Sequence, residues 1–385
     1  MECHYYDANV CRSCTLIRTP YAQQLSEKQR RCAEQLPMVD PVTWLPAVAS
    51  PESGFRNRVK LVVGSAESGA GMTLGILGPD QRGVDLRECA IQAPEIAAVI
   101  PAIAEMLETS GLPPYDVPER RGELKFVHVT VSPAGEMMLR FVGRTQHTLD
   151  VLRARLAQIR AAVPQASVIT VNLLPEHRAA LEGEREEVLF GESLRMAVDP
   201  AGEVSLNLLP GSFFQTNTAV TAQLYGRVSE WVAERRPASL WDLYCGVGGF
   251  ALHCAHALGA DHSAEVLGVE VSAAAVRAAE RTAADSGITA SFVAGDATEF
   301  ALAASAESTP EALIVNPPRR GIGEQLAHWI EGSGVPFVIY SSCNPESLAR
   351  DLARMPAYRV TAAQAFDMFP HTGHLEVAVR LERAA

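Results

Sequence analysis

Apolar positions in the second half of the chain fall into short blocks separated by stretches of helical period. Blocks at 240–243, 266–270, 291–293, 313–316 and 337–341 read as strands, and 250–257, 272–286 and 324–331 repeat apolar residues at helical spacing. This alternation predicts a doubly wound α/β sheet. Two last strands, 359–366 and 377–381, are close enough in sequence to pair antiparallel at its edge, and a helix at 219–234 precedes the first strand.

The pattern between Phe55 and Leu209 is different, with strands and helices mixed as in an α+β module. Strands are expected at 59–63 and 72–77, a helix at 95–108, a hairpin of 127–131 with 137–142 across Pro133-Ala134-Gly135, and a helix at 148–163. Short strands follow at 168–173, 188–190, 194–198 and 204–208. No internal repeat is visible, and the Ala/Ser/Glu segment 303–311 reads as a surface loop. The expected organisation is an N-terminal cysteine-bearing region (1–95), an α+β middle domain (55–210) that supplies Cys89, and a catalytic domain (211–385).

At 385 residues, 48% apolar and 20% charged, the chain has the composition of an ordinary globular protein of two or three domains. No run of about eighteen apolar residues occurs, so no membrane-crossing helix is expected. The start, Met1-Glu2-Cys3-His4-Tyr5-Tyr6-Asp7, lacks the basic-then-apolar order of a secretory signal, which makes the cytoplasm the expected compartment. Cysteines there stay reduced unless they bind metal or act in catalysis. A net charge of −12 opposes indiscriminate nucleic-acid binding but leaves room for a local basic surface. The basic clusters are Arg56-Asn57-Arg58-Val59-Lys60, Arg120-Arg121-Gly122-Glu123-Leu124-Lys125, Arg140 with Arg144, and Arg319-Arg320.

Chemistry concentrates at strand ends, where open α/β sheets place their ligands. The run Val338-Ile339-Tyr340-Ser341-Ser342 is a buried strand ending at Cys343, and Pro345 opens a helix over 346–355. Cys343 is therefore a nucleophile candidate against the plainer reading of a packed thiol. Trp241-Asp242-Leu243-Tyr244-Cys245-Gly246-Val247-Gly248-Gly249-Phe250 is a strand, a glycine turn and a helix start. Gly246-x-Gly248-x-x-Ala251 also fits a dinucleotide fingerprint. Asp242 and Tyr244 set a carboxylate and a ring at the turn, which suits S-adenosylmethionine better than a pyrophosphate, and Glu270 ends the next strand within reach of ribose hydroxyls. Asn316-Pro317-Pro318-Arg319 ends the fourth strand, with Arg319 where amino-methyltransferases stack an aromatic ring. His374 and Glu376 alternate along one expected strand and so face one side. Glu376 opposite Cys343 would pair a base with a nucleophile, against the alternative of a surface charge. At the other end of the chain Cys3, Cys11, Cys14 and Cys89 offer four thiolates, while Cys32, inside the helical pattern 26–36, is expected to be packed. Four thiolates suit zinc or an iron–sulfur cluster, and the frequency of structural zinc sites favours zinc.

Taken together, Asn316-Pro317-Pro318-Arg319-x-Gly321, Ile339-Tyr340-Ser341-Ser342-Cys343-Asn344 and Asp367-x-Phe369-Pro370-x-Thr372-x-His374-x-Glu376 resemble the paired signatures of the RNA uracil-C5 methyltransferase family. The cysteine quartet, Gly54-Phe55-Arg56-Asn57-Arg58 and Arg121-Gly122-Glu123-Leu124-Lys125 extend the resemblance over essentially the whole chain, toward members that act on 23S rRNA.

The resemblance implies a class I S-adenosylmethionine-dependent methyltransferase fold (a Rossmann-like doubly wound sheet) with an N-terminal iron–sulfur region and an α+β middle domain that binds RNA. It implies Cys343 as nucleophile and Glu376 as base. Gln215, Tyr244, Glu270 and Asn316 fall on positions that contact S-adenosylmethionine; Tyr244 stands where relatives commonly carry Phe, which preserves the ring. It places a [4Fe–4S] cluster on Cys3, Cys11, Cys14 and Cys89, replacing the preference for zinc. It implies 23S rRNA as partner through an unstacked uridine in a loop, with no DNA, membrane or obligate protein partner. Some relatives carry an extra N-terminal β-barrel that this chain is expected to lack. The same reaction on the T-loop uridine of tRNA is the nearest alternative. An NAD-dependent oxidoreductase would leave Cys343 and Glu376 without a role, and a non-catalytic iron–sulfur RNA-binding protein would leave the whole set unused.

Overall fold

The apolar blocks of the second half form the expected sheet in the computed structural model, which describes residues 1–36, 42–66, 71–199, 202–259 and 261–384. Packing divides the chain into two units. One comprises Met1–Cys14, Glu52–Met196 and Leu209–Gly211, and the other Thr15–Pro51, Ala197–Leu208 and Ser212–Ala385.

The second unit is built on an eight-stranded sheet. In spatial order its strands are Thr43–Trp44, Tyr358–Phe366, Glu376–Arg383, Phe337–Ser342, Ala312–Val315, Ser239–Leu243, Glu265–Glu270 and Ser291–Ala294. The last five are parallel to one another, and Glu376–Arg383 is antiparallel to both its neighbours. Apolar residues such as Leu243, Val269, Val315, Val338, Tyr340 and Val379 fill one buried cluster with the covering helices. From Ser239–Leu243 the chain winds outward through Glu265–Glu270 to Ser291–Ala294, then crosses back to Ala312–Val315 on the other side. A doubly wound sheet opens a ligand crevice at such a reversal, outside the carboxyl ends of the two diverging strands. The glycine turn after Leu243 and Asn316 after Val315 both lie there.

The first unit carries a seven-stranded sheet in the order Gly83–Asp85, Met72–Leu77, Arg58–Ser65, Leu124–Val131, Met137–Gly143, Ala166–Leu173 and Arg185–Phe190. All its pairs are antiparallel except Met137–Gly143 with Ala166–Leu173. Side-chain alternation decides its two faces. Val59, Leu61 and Val63 enter a core with helices Pro94–Glu108, Gln146–Ala154 and Leu156–Ala162. Arg58, Lys60 and Val62 therefore lie on the opposite face.

Two expectations change here. The helix expected over 148–163 is two helices, Gln146–Ala154 and Leu156–Ala162. Arg155 between them leaves helical geometry at φ −99° and ψ 11°, its N–H shared by the carbonyls of Val151 and Leu152. The region expected at 1–95 is split between the units. Helix Tyr21–Gln35 sends Cys32, fully buried as expected, into the core of the second unit, and Thr43–Trp44 extends that unit's sheet beside Tyr358–Phe366.

Candidate active site

Antiparallel pairing explains how two residues 33 positions apart meet. Phe337–Ser342 ends where Glu376–Arg383 begins, with Ser342 opposite Val377. Cys343 at the end of the first strand and Glu376 at the start of the second thus emerge at one end of the sheet. Glu376 is 2% exposed. Its Oε1 accepts hydrogen bonds from the Ser341 hydroxyl at 2.6 Å and the Asn316 side-chain amide at 2.9 Å. Burial pushes its carboxyl up to about 7, and those two donors restrain the rise. Asn316 also donates to the Ser341 carbonyl at 3.2 Å, so the end of its own strand is locked to the Cys343 strand.

Cys343 is half-buried, and its thiol is pushed up first by desolvation and then by the Glu376 carboxylate. Arg319 opposes both through its charge and a hydrogen bond to the sulfur. The Asn316-Pro317-Pro318-Arg319 turn thus supplies a cation to the thiolate rather than a ring to an acceptor. Asn344 bonds the Arg319 carbonyl at 3.0 Å and caps helix Pro345–Leu352 by accepting from the Glu346 N–H. Gly321 closes the turn at φ +86°, where any Cβ would stand 2.2 Å from the Asp351 carboxylate. That carboxylate accepts from the Tyr340 hydroxyl and the Ile322 N–H, so the turn and the Cys343 strand share one buried acceptor. An open cleft of about 390 Å³ lies over Cys343, lined also by Arg319, Arg31, Glu346 and His374.

His374 departs from its expected place. The strand starts at Glu376, so His374 lies in the preceding loop, exposed, with an Arg319 guanidinium nitrogen 2.7 Å from its Nδ1. Desolvation and the charges of Arg319, Lys28 and Arg31 hold its imidazole below the ordinary value. Helix Tyr21–Gln35 braces that loop from beneath. Lys28 and Asp367 form a buried ion pair at 2.6 Å, Lys28 also donates to the Phe369 carbonyl, and Arg31 donates to the Gly373 carbonyl. Nothing in the sequence marks this pair; its members are 339 residues apart.

At the sheet's reversal, Tyr244 (φ +68°), Gly246 (φ +55°) and Gly248 (φ +81°) turn the chain into helix Gly249–Leu258. Glu270 fixes this turn by accepting from the Gly246 N–H at 3.1 Å and the Ser272 N–H at 2.9 Å. Asp242 is wholly buried, accepts from the Ala251 N–H at 3.0 Å and leaves Oδ1 without a partner among the described residues. Burial first, and Glu270 beyond it, pushes its carboxyl up to about 7. The Tyr244 hydroxyl bonds Thr298, beside Asp296, which caps helix Ala297–Ala303 at the next strand end. Val271, just after Glu270, is 75% exposed. Asp296 and Val271 both follow strand ends, the one local signal in the sequence that marks them. Gln215 is buried two residues before Asn217, the cap of helix Thr218–Arg235.

In the first unit the thiols of Cys3, Cys11 and Cys89 raise that of Cys14, which burial and their charges push up to about 11. Cys89 is raised by burial and by Cys11 and Cys3, with Arg56 opposing. The four cysteines therefore share one electrostatic neighbourhood. Tyr5 holds Cys89's loop by accepting from the Glu88 N–H at 3.2 Å. Among the described residues no three His, Cys, Asp or Glu side chains converge as ligands of a single metal ion.

A family profile described as tRNA (Uracil-5-)-methyltransferase matches residues 195–384. The chain is 44% identical to the 23S rRNA (uracil(747)-C(5))-methyltransferase RlmC of Halothiobacillus neapolitanus, over 100% of both chains. It is 43% identical to the protein of the same name from Shewanella amazonensis, over 100% of this chain and 98% of that one. Among solved structures, the Pyrococcus abyssi tRNA (uracil-54, C5)-methyltransferase in complex with S-adenosyl-L-homocysteine superposes with a TM-score of 0.78 at 25% identity, covering 96% of this chain and 84% of that one. With the sheet, its reversal-point crevice and these full-length likenesses, the chain belongs to the RNA uracil-C5 methyltransferase family and is an S-adenosylmethionine-dependent methyltransferase.

Proposed function

We propose that this enzyme methylates C5 of one uridine in 23S rRNA through a covalent adduct on Cys343. The observation that carries the reading is the meeting of Cys343 with a buried Glu376 at one end of the sheet. Uracil C5 is a weak nucleophile. Addition of the Cys343 thiolate to C6 makes an enolate whose C5 is electron-rich. S-adenosylmethionine would supply the electrophilic methyl group that C5 takes, its S–CH3 bond breaking to release S-adenosylhomocysteine. Glu376 then removes the C5 proton, and the C6–S bond breaks to restore the aromatic ring and free Cys343. Arg319 favours the thiolate at both ends of this cycle. The base must leave its stack to enter the cleft, which favours a loop uridine.

The cofactor reading assigns Gln215, Tyr244, Glu270 and Asn316 to S-adenosylmethionine. It is supported by the orphaned Asp242 oxygen, which a cationic amino group would complete, and by the open Val271 beside Glu270. Cys3, Cys11, Cys14 and Cys89 would hold a [4Fe–4S] cluster. A thiolate-only set with Arg56 offsetting its charge fits that group. Methyl transfer needs no electron transfer, so such a cluster would serve to tie residues 3–14 to the Cys89 loop.

The family description and the Pyrococcus protein both name tRNA, which makes the T-loop uridine the second reading. Mapping 5-methyluridine in 23S rRNA and tRNA transcripts incubated with the enzyme decides between them. Methyl incorporation at one 23S uridine is expected; incorporation into tRNA alone would overturn the rRNA assignment.

A further inference from the structure

Opposite its helices, at the Val62–Phe126 end, the first unit's sheet holds a cleft of about 730 Å³ whose lining includes none of the residues assigned above. Its charged lining residues are Lys60, Lys125 and Arg178, all cationic, in a chain whose net charge is −12. Its floor is apolar. Val62 and Phe126 are direct cross-strand partners on adjacent strands. Phe126 is half-buried, and Leu77 and Leu181 on the rim are 40% and 46% exposed.

The walls are prearranged. Lys125 lies 4.5 Å from the centroid of the Tyr115 ring and donates to the Glu176 carbonyl at 2.7 Å. The Tyr115 hydroxyl bonds His177 Nδ1 at 3.0 Å. Lys60 is exposed, and the carboxylate that acts on it, Glu182, is itself ion-paired with Arg140. Among the described residues Arg178 pairs with the exposed Glu176 at 3.8 Å, a pair that solvent screens. Lys60 belongs to the basic run Arg56–Lys60, which lies outside the active site.

An aromatic ring on a sheet face, set among apolar side chains and rimmed by cations, matches an unpaired nucleotide. The base stacks on the ring and the phosphates meet the cations. We propose that this cleft binds an unpaired nucleotide of the substrate RNA, outside the target uridine, with the base against Phe126 and the backbone along Lys60 and Arg178. This deepens the reading of the enzyme as an RNA methyltransferase and rests on it.

Binding of a non-methylatable single-stranded rRNA fragment, followed by fluorescence anisotropy over a salt series, tests the cleft without requiring turnover. Lys60→Ala/Arg178→Ala should weaken binding about tenfold and lower the slope of log affinity against log salt by about 1 to 2. Phe126→Ala should weaken it by about tenfold without changing that slope, and Phe126→Tyr should restore it. In methyl transfer on the full fragment, KM should rise while kcat and S-adenosylhomocysteine binding stay at wild-type values. Wild-type RNA affinity in the double variant and in Phe126→Ala would overturn the proposal and leave the cleft to a non-RNA occupant. A fall in kcat at unchanged KM would overturn it too. A wild-type enzyme that binds the fragment through these residues yet methylates no RNA would instead contradict the proposed function.

Discussion

Near pH 7 the Glu376 carboxyl stands close to its midpoint, because burial raises it to about 7 against the pull of Ser341 and Asn316. The thiolate that adds to C6 and the base that takes the C5 proton must both be ionised, so turnover should fall below pH 7 along a two-proton limb. Glu376→Gln keeps both hydrogen bonds, since the amide oxygen accepts as the carboxylate did, but it cannot take a proton. Methylated enzyme–RNA adduct should accumulate in this variant, seen as a shifted band on a denaturing gel; normal release would remove Glu376 from the role. The same burial sets a stability trend of definite sign. The folded-state pKa lies above the unfolded one, so the group's contribution is present below the unfolded value and is lost as pH rises through 7. Above pH 8 Glu376→Gln should therefore be more stable than the wild type, by up to about 3 kcal/mol at 1.36 kcal/mol per unit, in chemical denaturation. Arg319 acts in the opposite direction on Cys343. Arg319→Leu should shift the pH profile of Cys343 alkylation upward, and Arg319→Lys should recover part of the shift; an unmoved profile would show that Arg319 does not tune the thiol.

Among the elements, helix Tyr21–Gln35 has a role its sequence does not announce. Its Lys28 pairs with Asp367 where both are almost fully buried, and the loop they hold leads into Glu376. Lys28→Met should leave a buried carboxylate unpaired and cost about 3–5 kcal/mol, measured by urea denaturation, with reduced methyl transfer. Adding Asp367→Asn should return much of the stability. Strand-end chemistry was legible because a buried apolar run that stops at a small polar group is a local signal: Cys343, Asn316 and the glycine turn all carry it. Pairs such as Lys28–Asp367 have no local signal, because the sequence between them only becomes proximity through folding. The misplacement of His374 has a simpler cause. A period-2 reading carried the last strand two residues past its true start at Glu376, since alternation alone does not mark where pairing begins. Arg319 was read by what it displaces, a stacking ring, and its contact with the sulfur emerges only when the turn is seen against the Cys343 strand.

Across the whole molecule, the two units divide the work the sequence had assigned to three regions, because residues 15–51 pack with the catalytic sheet. The cysteine quartet lies in the unit with the cationic cleft. Protein purified without oxygen should be brown and carry about four irons per chain. Cys14→Ser should lower the iron content and the thermal stability, and a colourless wild-type protein holding one zinc would reject the cluster. Covalent catalysis by Cys343 leaves an adduct that can be trapped. Fluorine at C5 leaves no proton for Glu376 to remove, so a 23S rRNA fragment with 5-fluorouracil at the target, given S-adenosylmethionine, should trap the enzyme–RNA adduct. Digestion and mass spectrometry should place the methylated fluorouracil on the peptide containing Cys343, with no adduct from Cys343→Ala. An adduct on another residue, an undiminished adduct with Cys343→Ala, or none with an active wild type, would contradict the account.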